Sequence, residues 1–265
     1  MPAYLEKIVA AHRALAAEDR RSVEVAIDEA LATPAPRPFT EALATYAEAT
    51  AAGVAVISEI KRRSPSKGSL DLTLDPAAVA VDYQKGGAAC LSVLTDTEFF
   101  GGSVDDLRAA KGACDLPVLR KDFTVSAGDV CDTRAMGADA VLLIVAALGA
   151  DQLRAFLSLA DRLALSALVE VHDALELRVA LEAGARLVGV NQRDLKTFEI
   201  DHERARMLGP QIPSDVVAVA ESGIRGADDV SALAEAGYRA VLVGETLIRS
   251  DDRRAGVAAL LGTVP

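Results

Sequence analysis

The stretch VISEIKRRSPSKG, Val56 to Gly68, begins as an apolar, β-branched run and ends as a cationic loop carrying Ser64, Pro65, Ser66 and Gly68. The run predicts a strand over Val54 to Ile60, buried on both faces until its carboxyl end. Side chains alternate along a strand, so Glu59 and Lys61 share one face while Ser58 and Ile60 share the other. An acid and a base therefore emerge together where α/β proteins carry their chemistry. A lone basic run is ordinarily a solvated turn. This one gains weight because a buried strand ending in a charged or amide residue recurs down the chain.

Short apolar strands are predicted at Cys90 to Leu94, Val118 to Lys121, Ala140 to Val145, Ala167 to Val171, Leu187 to Asn191, Val216 to Ala220 and Ala240 to Val243. Helical stretches separate them; the first starts at Asp75 and Pro76, an N-cap and first-turn pair, and ends near Gly86 and Gly87. Internal similarity supports a repeated unit. ALEAGARLVGVN (Ala180 to Asn191) parallels LAEAGYRAVLVG (Leu233 to Gly244), and GADAVLL (Gly137 to Leu143) parallels GYRAVLV (Gly237 to Val243). In each, a glycine ends a helix and a strand follows within a few residues. Eight such units predict an α/β fold of the (β/α)8 barrel type, and the absence of GxGxxG and GxxxxGK[ST] removes the usual nucleotide fingerprints.

The chain of 265 residues is read as one barrel domain whose residues 1–50 form an N-terminal helical extension. Leu5, Ile8, Val9 and Leu15, then Val23, Ile27, Ala30 and Leu31, keep helical spacing. Prolines at 34, 36 and 38 stop the second helix, and Phe39 to Ala49 restarts as a third. Glu6, Lys7, His12 and Arg13 interrupt the first segment, so it is not expected to be a signal peptide, and no apolar run reaches spanning length. A formal charge of -11 opposes nucleic acid or anionic membrane as a partner. Cys90, Cys114 and Cys131 show no CxxC spacing, which argues against a disulfide framework or zinc site and for a reducing cytoplasm.

At the strand ends stand Glu59 and Lys61, then Lys121 in PVLRKDF, Glu170 in LVEVHD, Asn191 and Arg193 in VGVNQRDL, Ser222 and Gly223 in AESG, and Gly244 and Glu245 in VLVGET. Any one of these reads simply as a solvated strand end. Converging on one rim of an apolar barrel, they would bury charge at a cost of several kcal/mol unless they paired or met a ligand. The Ser and Gly pairs follow the seventh and eighth strands, where barrels often bind phosphate through backbone N–H groups. His172 shares the parity of Glu170, but the N-cap residue Asp173 beside it explains the pair as a turn. No metal site is expected, because His12, His172 and His202 have no ligand spacing.

EIKRRSPSKG, LTDTEFFGGS, LRKDF, LVEVHD, VNQRDL, AESGI and VLVGE, in this order and at these separations, resemble the indole-3-glycerol phosphate synthase family of tryptophan biosynthesis. The resemblance covers nearly the whole chain and implies a cofactor-free enzyme. Its expected reaction is ring closure of 1-(2-carboxyphenylamino)-1-deoxyribulose 5-phosphate to indole-3-glycerol phosphate, with loss of carbon dioxide and water. It implies Lys121 as the general acid at the ketone oxygen and Glu170 as the base for dehydration. Lys61 is implied at the substrate's carboxylate and as a catalytic proton donor in its turn, with Arg193 as a second cation and Glu59 and Asn191 ordering the catalytic site. Ser64, Ser222, Gly223, Gly244 and Glu245 stand at the family's phosphate-side positions. Glu245 replaces a common serine, so its backbone N–H is the expected donor, and Gln192 and Arg63 depart from the commonest residues. The extension is expected to pack across the catalytic rim.

Chemistry agrees with the roles the resemblance implies: condensation at a carbonyl needs an acid where oxyanion charge develops, dehydration needs a base, and a phosphate needs amides and a cation. Desolvation and mutual repulsion are expected to lower the lysine pKa values, with the glutamates opposing. Phosphoribosylanthranilate isomerase, the alternative barrel enzyme, is expected to use a cysteine and an aspartate as its acid–base pair; no cysteine here stands at the carboxyl end of a predicted strand, and the two-lysine, two-glutamate rim argues against it. A silent binding barrel is disfavoured because Lys121 and Glu170 are both present. The expected protein is a cytoplasmic monomer acting on a small phosphorylated molecule, with no room in the chain for a second barrel.

Overall fold

Eight parallel strands close on themselves in the computed structural model of this chain, which describes residues 3–64, 68–194 and 197–263. They are β1 (Ala55–Ile60), β2 (Cys90–Leu94), β3 (Val118–Lys121), β4 (Ala140–Ile144), β5 (Ser166–Val171), β6 (Leu187–Asn191), β7 (Val217–Glu221) and β8 (Ala240–Val243). Each pairs with its sequence neighbours, and β8 returns to β1 with Ala55 opposite Ala240. Pro65, Ser66 and Lys67 of the basic loop and Leu195 of the VNQRDL motif lie outside the described residues.

Helices α4 (Pro76–Gly86), α5 (Val104–Ala113), α6 (Ala127–Ala135), α7 (Ala150–Arg162), α8 (Ala174–Glu182), α9 (His202–Leu208) and α10 (Ala227–Glu235) run outside the strands, and α11 (Glu245–Ile248) and α12 (Arg253–Leu260) follow β8. The N-cap side chains of Asp75, Ser103, Ser126, Asp173 and Asp201 take first-turn N–H groups that would otherwise lack partners. The internal repeat has a local cause. Gly87, Gly137, Gly184 and Gly237 leave alternate helices at φ 96°, 96°, 93° and 95°, a left-handed turn that glycine enters without steric cost.

Strand alternation divides the core in two. Val56, Ile60, Leu91, Val93, Val169 and Val241 face the helices, while Ile57, Cys90, Leu119, Leu142, Leu168, Val219 and Leu242 fill the barrel interior. Continuing the interior parity to the carboxyl ends puts Glu59, Lys121, Glu170, Asn191 and Glu221 above this apolar floor.

The extension divides its work. In α1 (Ala3–Ala16), Leu5, Ile8 and Val9 are buried over the carboxyl rim, as expected. In α3 (Phe39–Ala49), Phe39, Leu43 and Ala47 join the interior layer through Ala55, Cys90, Leu187 and Ala240 and so plug the opposite end. Helix α2 (Val23–Leu31) packs against α6. Placing the whole extension across the catalytic rim is therefore corrected to α1 alone. Leu15, which the same spacing put on this face, is 64% exposed, and nothing in the structure explains it.

Candidate active site

Every site residue singled out from the sequence lines one cavity of about 730 Å³ at the carboxyl ends of the strands. At its floor Lys121 Nζ donates to Glu221 Oε2 at 2.6 Å and to Glu170 Oε2 at 3.1 Å. Burial alone would lower the Lys121 pKa, but the Glu221, Glu170 and Glu59 carboxylates outweigh it and hold the ammonium well above the usual lysine range. The expected lowering is overturned for this lysine. The same field splits the acids. Burial pushes Glu221 up to about 7 against the pull of Lys121, whereas Glu170, with Lys121, His172 and Asn191 on it, is held below its ordinary value despite burial.

Around that centre the β6 end is an ordered amide platform. Asn191 Nδ2 donates to Glu170 Oε1 at 3.2 Å, and Asn191 Oδ1 accepts from Ser222 Oγ at 2.9 Å and from the Arg193 N–H at 3.0 Å. Gln192 Nε2 donates to the Ser222 carbonyl at 2.7 Å. On β1, Lys61 Nζ pairs with Glu59 Oε1. The neighbouring arginines hold loops: Arg62 pairs with Asp106, and Arg63 donates to the Thr97 carbonyl.

The β7 turn departs from ordinary backbone. Ser222 has φ 68° and Gly223 φ 76°, and a left-handed conformation at a non-glycine residue is uncommon. Gly223 has no alternative, because a Cβ there would lie 2.5 Å from Ile200 Cγ2. Gly244 also has a steric cause: a Cβ there would lie 2.3 Å from Glu59 Oε1. Glycine there leaves room for the Glu59 carboxylate. Gly244 also opens α11 without a side-chain cap, and Glu245 sits 3.4 Å from Arg249 across one turn.

Sequence reasoning missed Glu221 because it ended β7 at Ala220. The strand runs one residue further, and alternation from Val217 and Val219 turns Glu221 inward. Also unassigned were the cations Arg225 and Arg249 and the rim aromatics Tyr4, Phe100, Phe123 and Phe198, which line the cavity from loops and from α1. No strand pattern pointed to them.

One histidine–carboxylate cluster among the described residues has metal-ligand geometry: His12, Asp96 and Asp122. Its atoms are engaged in hydrogen bonds. His12 Nε2 lies 3.0 Å from Asp96 Oδ2 and 3.7 Å from Asp122 Oδ1. Asp96 Oδ1 accepts from the Phe99 and Phe100 N–H groups, and Asp122 from Arg120 and the Phe123 N–H. This chemistry fits a latch fastening α1 to the rim.

A sequence profile described as indole-3-glycerol phosphate synthase matches residues 5–260. The chain belongs to that family. It is 54% identical to the indole-3-glycerol phosphate synthase of Kineococcus radiotolerans over 79% of this chain and 76% of the relative. It is 46% identical to that of Mycobacteroides abscessus over 98% and 95%. Family membership makes it a carboxy-lyase of tryptophan biosynthesis acting on a phosphorylated small molecule. A solved 3-hexulose-6-phosphate synthase superposes with a TM-score of 0.63 at 15% identity, covering 80% of this chain and 100% of the other, which speaks for the fold alone.

Proposed function

We propose that Lys121 is the general acid and Glu170 the base by which this chain closes the indole ring of 1-(2-carboxyphenylamino)-1-deoxyribulose 5-phosphate. The observation that carries this reading is the Lys121 ammonium, held between Glu170 and Glu221 at the cavity floor. As the carboxylate-bearing aryl carbon attacks the ketone, negative charge grows on the ketone oxygen, and a fixed ammonium there costs no reorganisation. Proton transfer to that oxygen leaves an alcohol, and loss of carbon dioxide restores the aromatic ring. Dehydration then needs a base and an acid on the leaving hydroxyl. Glu170, held ionised, suits the first role. Glu221, whose pKa of about 7 lies near neutral working pH, suits the return of a proton to Lys121.

Lys61 and Arg193 are proposed to hold the substrate's carboxylate, with Glu59 and Asn191 ordering them. Ser64, the turn at Ser222 and Gly223, and the backbone at Gly244 and Glu245 are proposed to receive the phosphate, helped by Arg249. Action as a monomer is proposed with this assignment. No described helix is long and apolar enough to cross a membrane; the three cysteines are buried and free, as in a reducing compartment, and we infer a cytoplasmic setting from them. Incubating the purified protein with this substrate and following indole absorbance tests the reading; no indole product at any pH would refute it.

A further inference from the structure

His172 lies just past β5 with its ring turned back toward the site. Its Nε2 is 3.5 Å from Glu170 Oε1, and its Nδ1 is 3.1 Å from Glu176 Oε2, an oxygen that also accepts the His172 backbone N–H at 2.8 Å. The turn does not require this ring, since the Asp173 side chain caps α8. The Nε2 atom is buried and makes no hydrogen bond among the described residues, so its approach to Glu170 is a charge contact.

The proton count follows from the partners. Glu176 can only accept, so Nδ1 carries a proton. A neutral ring would then aim the Nε2 lone pair at the Glu170 carboxylate, which is repulsive; a second proton makes both contacts attractive. The charged groups facing the ring are Glu170 from β5, Glu176 from α8 and Arg204 from α9. Burial and Arg204 oppose the charge, but the Glu176 hydrogen bond and the two carboxylates prevail and raise the His172 pKa.

We propose that His172 is a positioning residue for the family reaction, an imidazolium clamped by Glu176 that holds Glu170 in place and ionised. The proposal rests on reading Glu170 as the base. It answers a difficulty in that reading: once Lys121 gives up its proton during ring closure, the neutral amine no longer holds Glu170 as a carboxylate. His172 is then the other cation on it.

The test uses full-length protein labelled with ¹⁵N-histidine, whose three histidines are assigned by substitution at positions 12 and 202. The His172 ring should be doubly protonated at pH 7, and Glu170→Gln should lower its titration midpoint, because coupling between two sites is reciprocal. His172→Gln should lower kcat roughly 10-fold at pH 7 with KM little changed, and should move the acid limb of the kcat profile up by about one pH unit. A neutral ring at pH 7, or a midpoint indifferent to Glu170→Gln, overturns the proposal even if His172→Gln fails to fold. A pH-independent loss of kcat would assign His172 a packing role only. A Glu170→Gln enzyme with wild-type kcat overturns the base itself and this proposal with it. An inactive one with an unmoved His172 titration overturns the proposal alone.

Discussion

Gly189 on β6 and Glu221 on β7 share one volume: a Cβ on Gly189 would lie 2.1 Å from Glu221 Oε1. The missing side chain on one strand is the space in which the other strand's carboxylate reaches Lys121. Gly189→Ala should therefore displace Glu221 while leaving the strand intact. A displacement near 1 Å in a catalytic constellation can cost about 100-fold, so kcat should fall by roughly that factor with a small change in melting temperature. Wild-type kcat in this variant would show that the Glu221 position is immaterial.

Lys121 and Glu170 should act in the transition state more than in binding. Lys121→Met and Glu170→Gln are each expected to lower kcat by roughly 10²- to 10⁴-fold with little change in KM, whereas Arg193→Ala should chiefly raise KM. Steady-state kinetics on the three purified variants checks this, and a Lys121→Met enzyme with unchanged kcat would reject the proposed acid.

Glu221 also leaves a stability signature. Its folded pKa of about 7 lies above its ordinary value of 4.5, so the native state binds the extra proton. That contribution is fully present below about pH 4.5 and is lost as pH rises through about 7. Denaturant unfolding of wild type and Glu221→Gln should thus show the variant gaining on the wild type by roughly 1 to 3 kcal/mol between pH 5 and pH 8. A difference that is flat, or that moves the other way, would contradict the raised pKa.

Helix α1 and helix α3 should fail differently when removed. Deleting residues 1–16 takes Tyr4, Leu5 and Ile8 from the cavity wall and frees the Asp96 partner of His12. It should raise KM at least several-fold while the protein still folds. A deletion reaching position 49 removes Phe39 and Leu43, both fully buried in the interior plug, and large core truncations cost about 3 to 5 kcal/mol each, so cooperative unfolding should be lost. An unchanged KM in the shorter deletion would remove α1 from substrate binding.

The phosphate end needs a variant that spares Glu59. Gly244→Val would collide with the Glu59 carboxylate and confound binding with catalysis, so Arg249→Ala is the cleaner change. It should raise KM and weaken competition by inorganic phosphate, with kcat nearly unchanged. Equal competition by phosphate in both enzymes would exclude Arg249 from that end.

Strand alternation and helix punctuation are local properties, and they sufficed to place Glu59, Lys121, Glu170 and Asn191 on one rim, because a β-strand fixes side-chain direction residue by residue. The repeated glycines before strands were legible for the same reason: the left-handed turn is a property of one residue. Pairing is another matter. Which carboxylate holds Lys121, and that Glu221 stays poised near neutrality while Glu170 stays ionised, depends on burial and on charges contributed by strands far apart in sequence. So do the division of the extension between rim and plug, the space that Gly189 and Gly244 leave for carboxylates, and the approach of His172 to Glu170. A sequence determines which groups can face inward; only closure of the barrel sets the distances between them, and in a buried site those distances decide the protonation states.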